Sequence, residues 1–169
     1  ARNQQNVVQI QTLRLPDGEL REKINPLAAL AHRLGLKFGM SFSFSMVQQK
    51  NYYLIPFWRA LTGIGDGEAL RTKIRQVIRD FDLDYITSEL GSTEFTPLSE
   101  ERSLNWMRIA GEEVKKHGGI AEVCVCYTGN LVSPNETKYT LSYYLKIARQ
   151  LQQMGADILC IKDMAGLLR

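Results

Sequence analysis

The chain has 169 residues, 44% of them hydrophobic and 23% charged, with 21 Lys plus Arg against 18 Asp plus Glu for a net charge of +3. That composition excludes a disordered chain and suits one core, so a single domain is expected, and the scattered basic residues give no reason to expect nucleic acid. No apolar run approaches the roughly 20 residues that cross a bilayer and the polar start lacks an apolar signal core, so a soluble, intracellular protein with no membrane partner is expected.

Residues 7–15 alternate apolar and polar side chains and stop at Pro16-Asp17-Gly18, which predicts a strand and a turn. A helix follows, with Asn25 as N-cap, Pro26 at its first position, Leu27, Leu30, Ala31 and Leu34 at helical spacing, and Gly35 as its stop. Residues 37–46 return to period two with Phe38, Met40, Phe42, Phe44 and Met46 on one face, a second strand. Residues 48–67 read as a packed loop with a short helix, in which Tyr52, Tyr53, Phe57 and Trp58 are assigned to core packing. Asp66 can cap the next helix, with Leu70, Ile74, Val77, Ile78 and Phe81 inward and Arg71, Lys73, Arg75 and Arg79 in water. Residues 83–90 then form a third strand.

Ser99 caps a helix through Lys116, carrying Leu104, Trp106, Ile109, Ala110 and Val114 inward and ending at Gly118-Gly119. The β-branched run 120–127 is a fourth strand closed by Thr128-Gly129-Asn130. Thr140 opens a last helix with Leu141, Tyr144, Leu145, Ala148 and Leu151 inward, and residues 157–163 make a fifth strand. The class is α/β, with strands and helices alternating and near-continuous apolar strands that suit a parallel sheet. A closed eight-stranded barrel takes about 250 residues, so five strands cannot close alone, and their open edges predict self-association.

Cys124, Cys126 and Cys160 are an odd set within apolar runs, which fits reduced core thiols better than a disulfide framework or a thiolate metal site. Lys162 follows Ile158-Leu159-Cys160-Ile161 and precedes Asp163, at the carboxyl end of the fifth strand, where active sites of parallel α/β folds collect. A lysine there can serve as a base, a Schiff-base former or, once carbamylated, a metal ligand; the alternative is an ion pair with Asp163 or Asp157. Glu89 and Glu94 flank the end of the third strand, where a barrel hydrolase would place an acid and its partner. Gly63-Ile64-Gly65-Asp66-Gly67 lacks the lysine of a phosphate loop and reads as a turn.

Ile161-Lys162-Asp163-Met164-Ala165-Gly166-Leu167-Leu168, preceded by Ser103-Leu104-Asn105-Trp106, Cys126-Tyr127-Thr128-Gly129 and Lys138-Tyr139-Thr140-Leu141-Ser142-Tyr143-Tyr144, resembles the carboxyltransferase domain of pyruvate carboxylases over about residues 103–169. The resemblance implies a partial TIM barrel and carboxyl transfer from carboxybiotin, delivered by a biotin carrier domain, to pyruvate, giving oxaloacetate. It also implies that Lys162 becomes a carbamate that binds a divalent metal such as zinc, and a cytoplasmic or mitochondrial-matrix location. The family's Arg-Asp-Ala-His-Gln and His-Thr-His metal motifs are absent from this sequence, and Asn130 stands where an aspartate is usual. The expectation is a carboxyltransferase fragment, inactive and without cofactor in isolation. The alternatives are a non-catalytic engineered or structural half-barrel and a hydrolase using Glu89 and Glu94. Residues 1–100 carry no motif of the family, which raises a chimera boundary near residue 100.

Overall fold

Residues 6–11, 18–42, 54–90, 99–163 and 166 are described by the computed structural model, the side chains of Phe57, Glu89 and Leu90 excepted. Strands and helices alternate along them: β1 (Val7–Gln11), α1 (Gly18–Arg33), β2 (Lys37–Phe42), α2 (Phe57–Thr62), α3 (Asp66–Asp80), β3 (Tyr85–Leu90), α4 (Glu100–Lys116), β4 (Ile120–Tyr127), α5 (Leu141–Gln153) and β5 (Ile158–Asp163). All five strands pair in parallel in the order β1-β2-β3-β4-β5, so each connection advances by one strand. This is the expected α/β architecture, a partial TIM-barrel-like sheet. Gln9 of β1 donates across β2 to Thr87 of β3, a reach that requires the sheet to curl.

Period-two alternation separates two faces. The outer face carries Phe38, Met40, Phe42, Ile86, Ala121, Val123 and Val125, all buried. Over it, α1 packs on β2, α4 on β3 and β4, and α5 on β4 and β5, with α3 against α4. The helices contribute Ala28 and Ala31, Leu70 and Ile74, Met107 and Ala110, and Ile147 and Leu151 to the same core.

Ser99 and Thr140 cap α4 and α5 as expected, each side-chain oxygen accepting from the backbone N–H three residues on, at 3.3 Å. The helix α1 departs from expectation. It begins at Gly18 and encloses Pro26, while Asn25 ties the helix to the end of α3: its Nδ2 donates to Asp80 O (3.1 Å) and its Oδ1 accepts from Asp82 N (3.3 Å). Its buried stripe is Ile24, Ala28 and Ala31, whereas Leu27, Leu30 and Leu34 are exposed. Small alanines let the helix lie close to β2, and that choice rotates the leucines outward.

The same phase error affects α5, where Ile147 and Leu151 are buried but Leu141 and Leu145 are exposed. Trp58 is also outside the core, 53% exposed with the Arg59 guanidinium 4.7 Å above its ring. Phe44, Met46, Tyr52 and Tyr53 lie outside the described residues. Arg71 and Arg75 do not simply face water. Arg71 bonds Glu112 (2.9 Å) and Arg75 bonds the buried Glu113 (2.6 Å), locking α3 to α4.

Candidate functional site

At the carboxyl end of β4 the chain must leave the sheet, and two of the freed backbone donors find a side-chain acceptor. The Tyr144 hydroxyl accepts from Thr128 N (3.0 Å) and Gly129 N (2.9 Å), and its ring lies 5.1 Å from that of Tyr127. Tyr143 packs edge-on against both Tyr144 (5.2 Å) and Tyr139 (5.4 Å), and Lys138 sits 4.9 Å from the Tyr139 ring. Tyr143 and Tyr144 are both half-buried, so neither ring is wholly solvent-facing. A Cβ on Gly129 would stand 2.3 Å from Tyr139 O, so only glycine allows the two loops to meet. Glu136 holds the second loop by accepting from Lys138 N (3.0 Å) and Tyr139 N (2.8 Å), which keeps its carboxyl below the usual range. The two motifs are thus one object: the first forms the exit of β4 and the second caps it.

Lys162 stands near the carboxyl end of β5, half-buried and in register with Cys126. Its alternation with Cys160 puts it on the concave face of the sheet. Asp157 is at the opposite end of the strand, where it binds Lys115 (3.0 Å) and accepts from Ala121 N (3.0 Å). The backbone of Glu89 pairs with Cys124, while the Glu89 side chain and all of Glu94 lie outside the described residues.

The histidines do not join Lys162. His32 Nε2 is 2.9 Å from Asp84 Oδ2, a contact that raises the His32 pKa, and Asp84 also accepts from Phe38 N (2.7 Å). His117 caps α4 beside Glu113 at 3.5 Å. Both precede strands and so lie at the amino end of the sheet. Neither histidine therefore stands with Lys162 at the carboxyl end of the sheet.

The concave face carries a polar ladder that sequence reading missed. Gln9 donates to Thr87, and Thr87 donates to Glu122 Oε2 at 3.0 Å. The Tyr85 ring occupies the space that a Cβ on Gly39 would need, at 2.3 Å, and burial with Glu122 and Asp84 nearby pushes its phenol up to about 12. Beside it an open cavity of about 380 Å³ is lined by Gln9, Lys37, Tyr85 and Glu122 among others. Deeper on this face, ligand atoms of Glu122, Cys124 and Cys160 lie within 4.8 Å of one another. The thiols therefore face a carboxylate, although their sequence neighbours are apolar. Period two along β4 was the available signal; the partner on β5 was not.

The glycine-rich turn is occupied by its own anion. Asp66 accepts from Trp106 Nε1 (2.8 Å), Arg102 Nη2 (3.0 Å) and Gly67 N (2.8 Å). Burial would raise its pKa, yet these donors hold it below the ordinary aspartate value. Arg102 and Trp106 thus fasten the α2–α3 turn to α4, a structural use for the segment around Ser103-Leu104-Asn105-Trp106.

No family model matches the chain. Pyruvate carboxylase of Bacillus subtilis is 50% identical over 70 residues, 40% of this chain and 6% of the relative. Human mitochondrial pyruvate carboxylase is 39% identical over 89 residues, covering 53% and 8%, and the Komagataella pastoris enzyme is 33% identical over 118, covering 68% and 9%. The chain therefore spans less than a tenth of the length of these curated relatives. Among solved structures, the carboxyltransferase domain of Rhizobium etli pyruvate carboxylase with pyruvate superposes with a TM-score of 0.69 at 19% identity, over 97% of this chain and 25% of that one. The same domain with pyruvate and biocytin gives 0.64 at 21% identity, over 88% and 21%. Fold likeness extends across the first half of the chain, where no motif was visible. Motifs, identities and parallel topology agree that this chain resembles a fragment of the carboxyltransferase domain of pyruvate carboxylase.

Proposed function

We propose that the chain is the part of a biotin-dependent carboxyltransferase barrel that carries its carbamate lysine, and that alone it is inactive. The observation that supports this reading is the position of Lys162 in its motif, near the carboxyl end of β5 on the concave face of a parallel β/α sheet. The substrate class is then pyruvate and oxaloacetate, with carboxybiotin presented by a carrier domain as donor. Lys162, once carbamylated, would offer an anionic oxygen to a divalent metal such as zinc. A non-catalytic half-barrel is the second reading, favoured by the placement of His32 and His117 at the opposite end of the sheet.

The chain is further proposed to fold as one domain across residue 100, because Asp66 bonds Arg102 and Trp106, and Arg71 bonds Glu112, across that position. Among the described residues no helix is long and apolar enough to cross a membrane. The test is complementation. The purified chain is assayed for oxaloacetate with pyruvate and carboxybiotin, alone and co-expressed with the later β/α units of a pyruvate carboxylase barrel. Activity is expected only with the complement and only with Lys162 intact. Turnover by the chain alone would overturn its inactivity, and a folded complex that is inactive would leave the half-barrel reading in its place.

A further inference from the structure

We propose that Glu122, Cys124 and Cys160 form a binding site for a thiophilic divalent cation of the zinc class, separate from Lys162. Cys124 and Cys160 are direct cross-strand partners in the parallel register of β4 and β5, and Glu122 precedes Cys124 by two residues on the same face. Two thiols and a carboxylate thus project from adjacent, paired strands, and their ligand atoms lie within 4.8 Å of one another. Zinc–sulfur bonds of about 2.3 Å in a tetrahedron need sulfurs about 3.8 Å apart, so only a small side-chain adjustment is required. Thiolates select zinc or other soft cations over magnesium and calcium.

The surroundings suit a metal as well as the ligands do. Thr87 donates to Glu122 Oε2 at 3.0 Å and is itself held by Gln9, so the carboxylate is oriented from two further strands. Glu122 also lines the open cavity of about 380 Å³, which gives the cation a route in and leaves its fourth position to water. Cys124 is buried and Cys160 half-buried, so the thiols form the closed side of the site. Lys162 lies two residues nearer the carboxyl end of β5, opposite Cys126.

Zn²⁺ and Co²⁺ titrated into the reduced chain test the site directly. One equivalent of either is expected, with protons released and a near-ultraviolet thiolate-to-cobalt charge-transfer band. Cys124→Ser and Cys160→Ser should abolish the band, and Glu122→Gln should weaken zinc binding. Thr87→Val should weaken it about 10–100-fold by freeing the carboxylate. Cys126→Ser should keep both stoichiometry and spectrum. No thiolate band with the unmodified chain would overturn the site, a result that no folding defect of a variant can mimic. A band that survives Cys160→Ser, or is lost in a folded Cys126→Ser, would overturn the assignment of these three ligands.

Discussion

Ile147 is fully covered, whereas Leu145 on the same helix is 47% exposed and Ile161 on β5 is 59% exposed. All three look alike in a hydropathy profile, yet only the first has packing to lose. Ile147→Ala is expected to cost about 2–5 kcal/mol, as large-to-small changes in packed cores do. Leu145→Ala and Ile161→Ala should each stay within about 0.5 kcal/mol. Urea unfolding of the three variants measures this, and a costly Leu145→Ala would contradict the phase of α5. At the exit of β4, Tyr144→Phe removes the acceptor of Thr128 N and Gly129 N while keeping the ring. It should cost about 1–3 kcal/mol, the penalty for leaving donors unsatisfied. A silent Tyr144→Phe in the same assay would mean that water satisfies both donors.

Helices α3 and α4 are joined by charges that a helical wheel assigns to solvent. Glu113 is only 2% exposed in its side chain and is met by Arg75 at 2.6 Å and Arg71 at 3.4 Å. The Arg75 hydrogen bond comes first among the causes that hold the Glu113 carboxyl below its ordinary value, against the opposing effect of burial. A carboxyl whose folded pKa is depressed contributes stability above its unfolded pKa, and loses it as pH falls through the folded one. Urea midpoints should therefore decline from about pH 5 downward, as carboxylates paired only in the fold take up protons. Glu113→Gln should flatten that decline without removing it, since Glu112, Asp66 and Asp157 are also depressed. An unchanged slope would show that the α3–α4 clamp contributes nothing to folding.

The described sheet pairs β1 and β5 on one side only, and its outer face at β5 leaves Leu159 and Ile161 exposed at 45% and 59%. Unpaired strand edges beside apolar surface favour association. Light scattering at tens of micromolar is expected to report a species larger than a monomer, and Leu159→Lys with Ile161→Lys should shift it toward the monomer. A monomer at every concentration tested would show that the edges are shielded. The hydrogen bonds Arg102–Asp66 and Arg71–Glu112 cross residue 100, so the species expected to associate is the whole sheet.

Local chemistry was enough to place most elements of this protein. Ser99 and Thr140 name helix starts because a hydroxyl at that position can accept a free N–H of the first turn, and the apolar side chains of the period-two runs at Phe38-Met40-Phe42 and 120–127 are buried on the helix-covered face. The motifs around Lys162 and Gly129 were likewise legible as residues in order. Tertiary structure decided what those residues face. Asn25 reads as a cap until the end of α3 takes its side chain, and the leucines of α1 read as core until alanines set the closer approach. Glu122, Cys124 and Cys160 become neighbours only when β5 docks in register beside β4, with 35 residues between Cys124 and Cys160. Periodicity reports which side chains share a face of their own element; which element covers that face depends on register and curl, and those arise only when the strands pair.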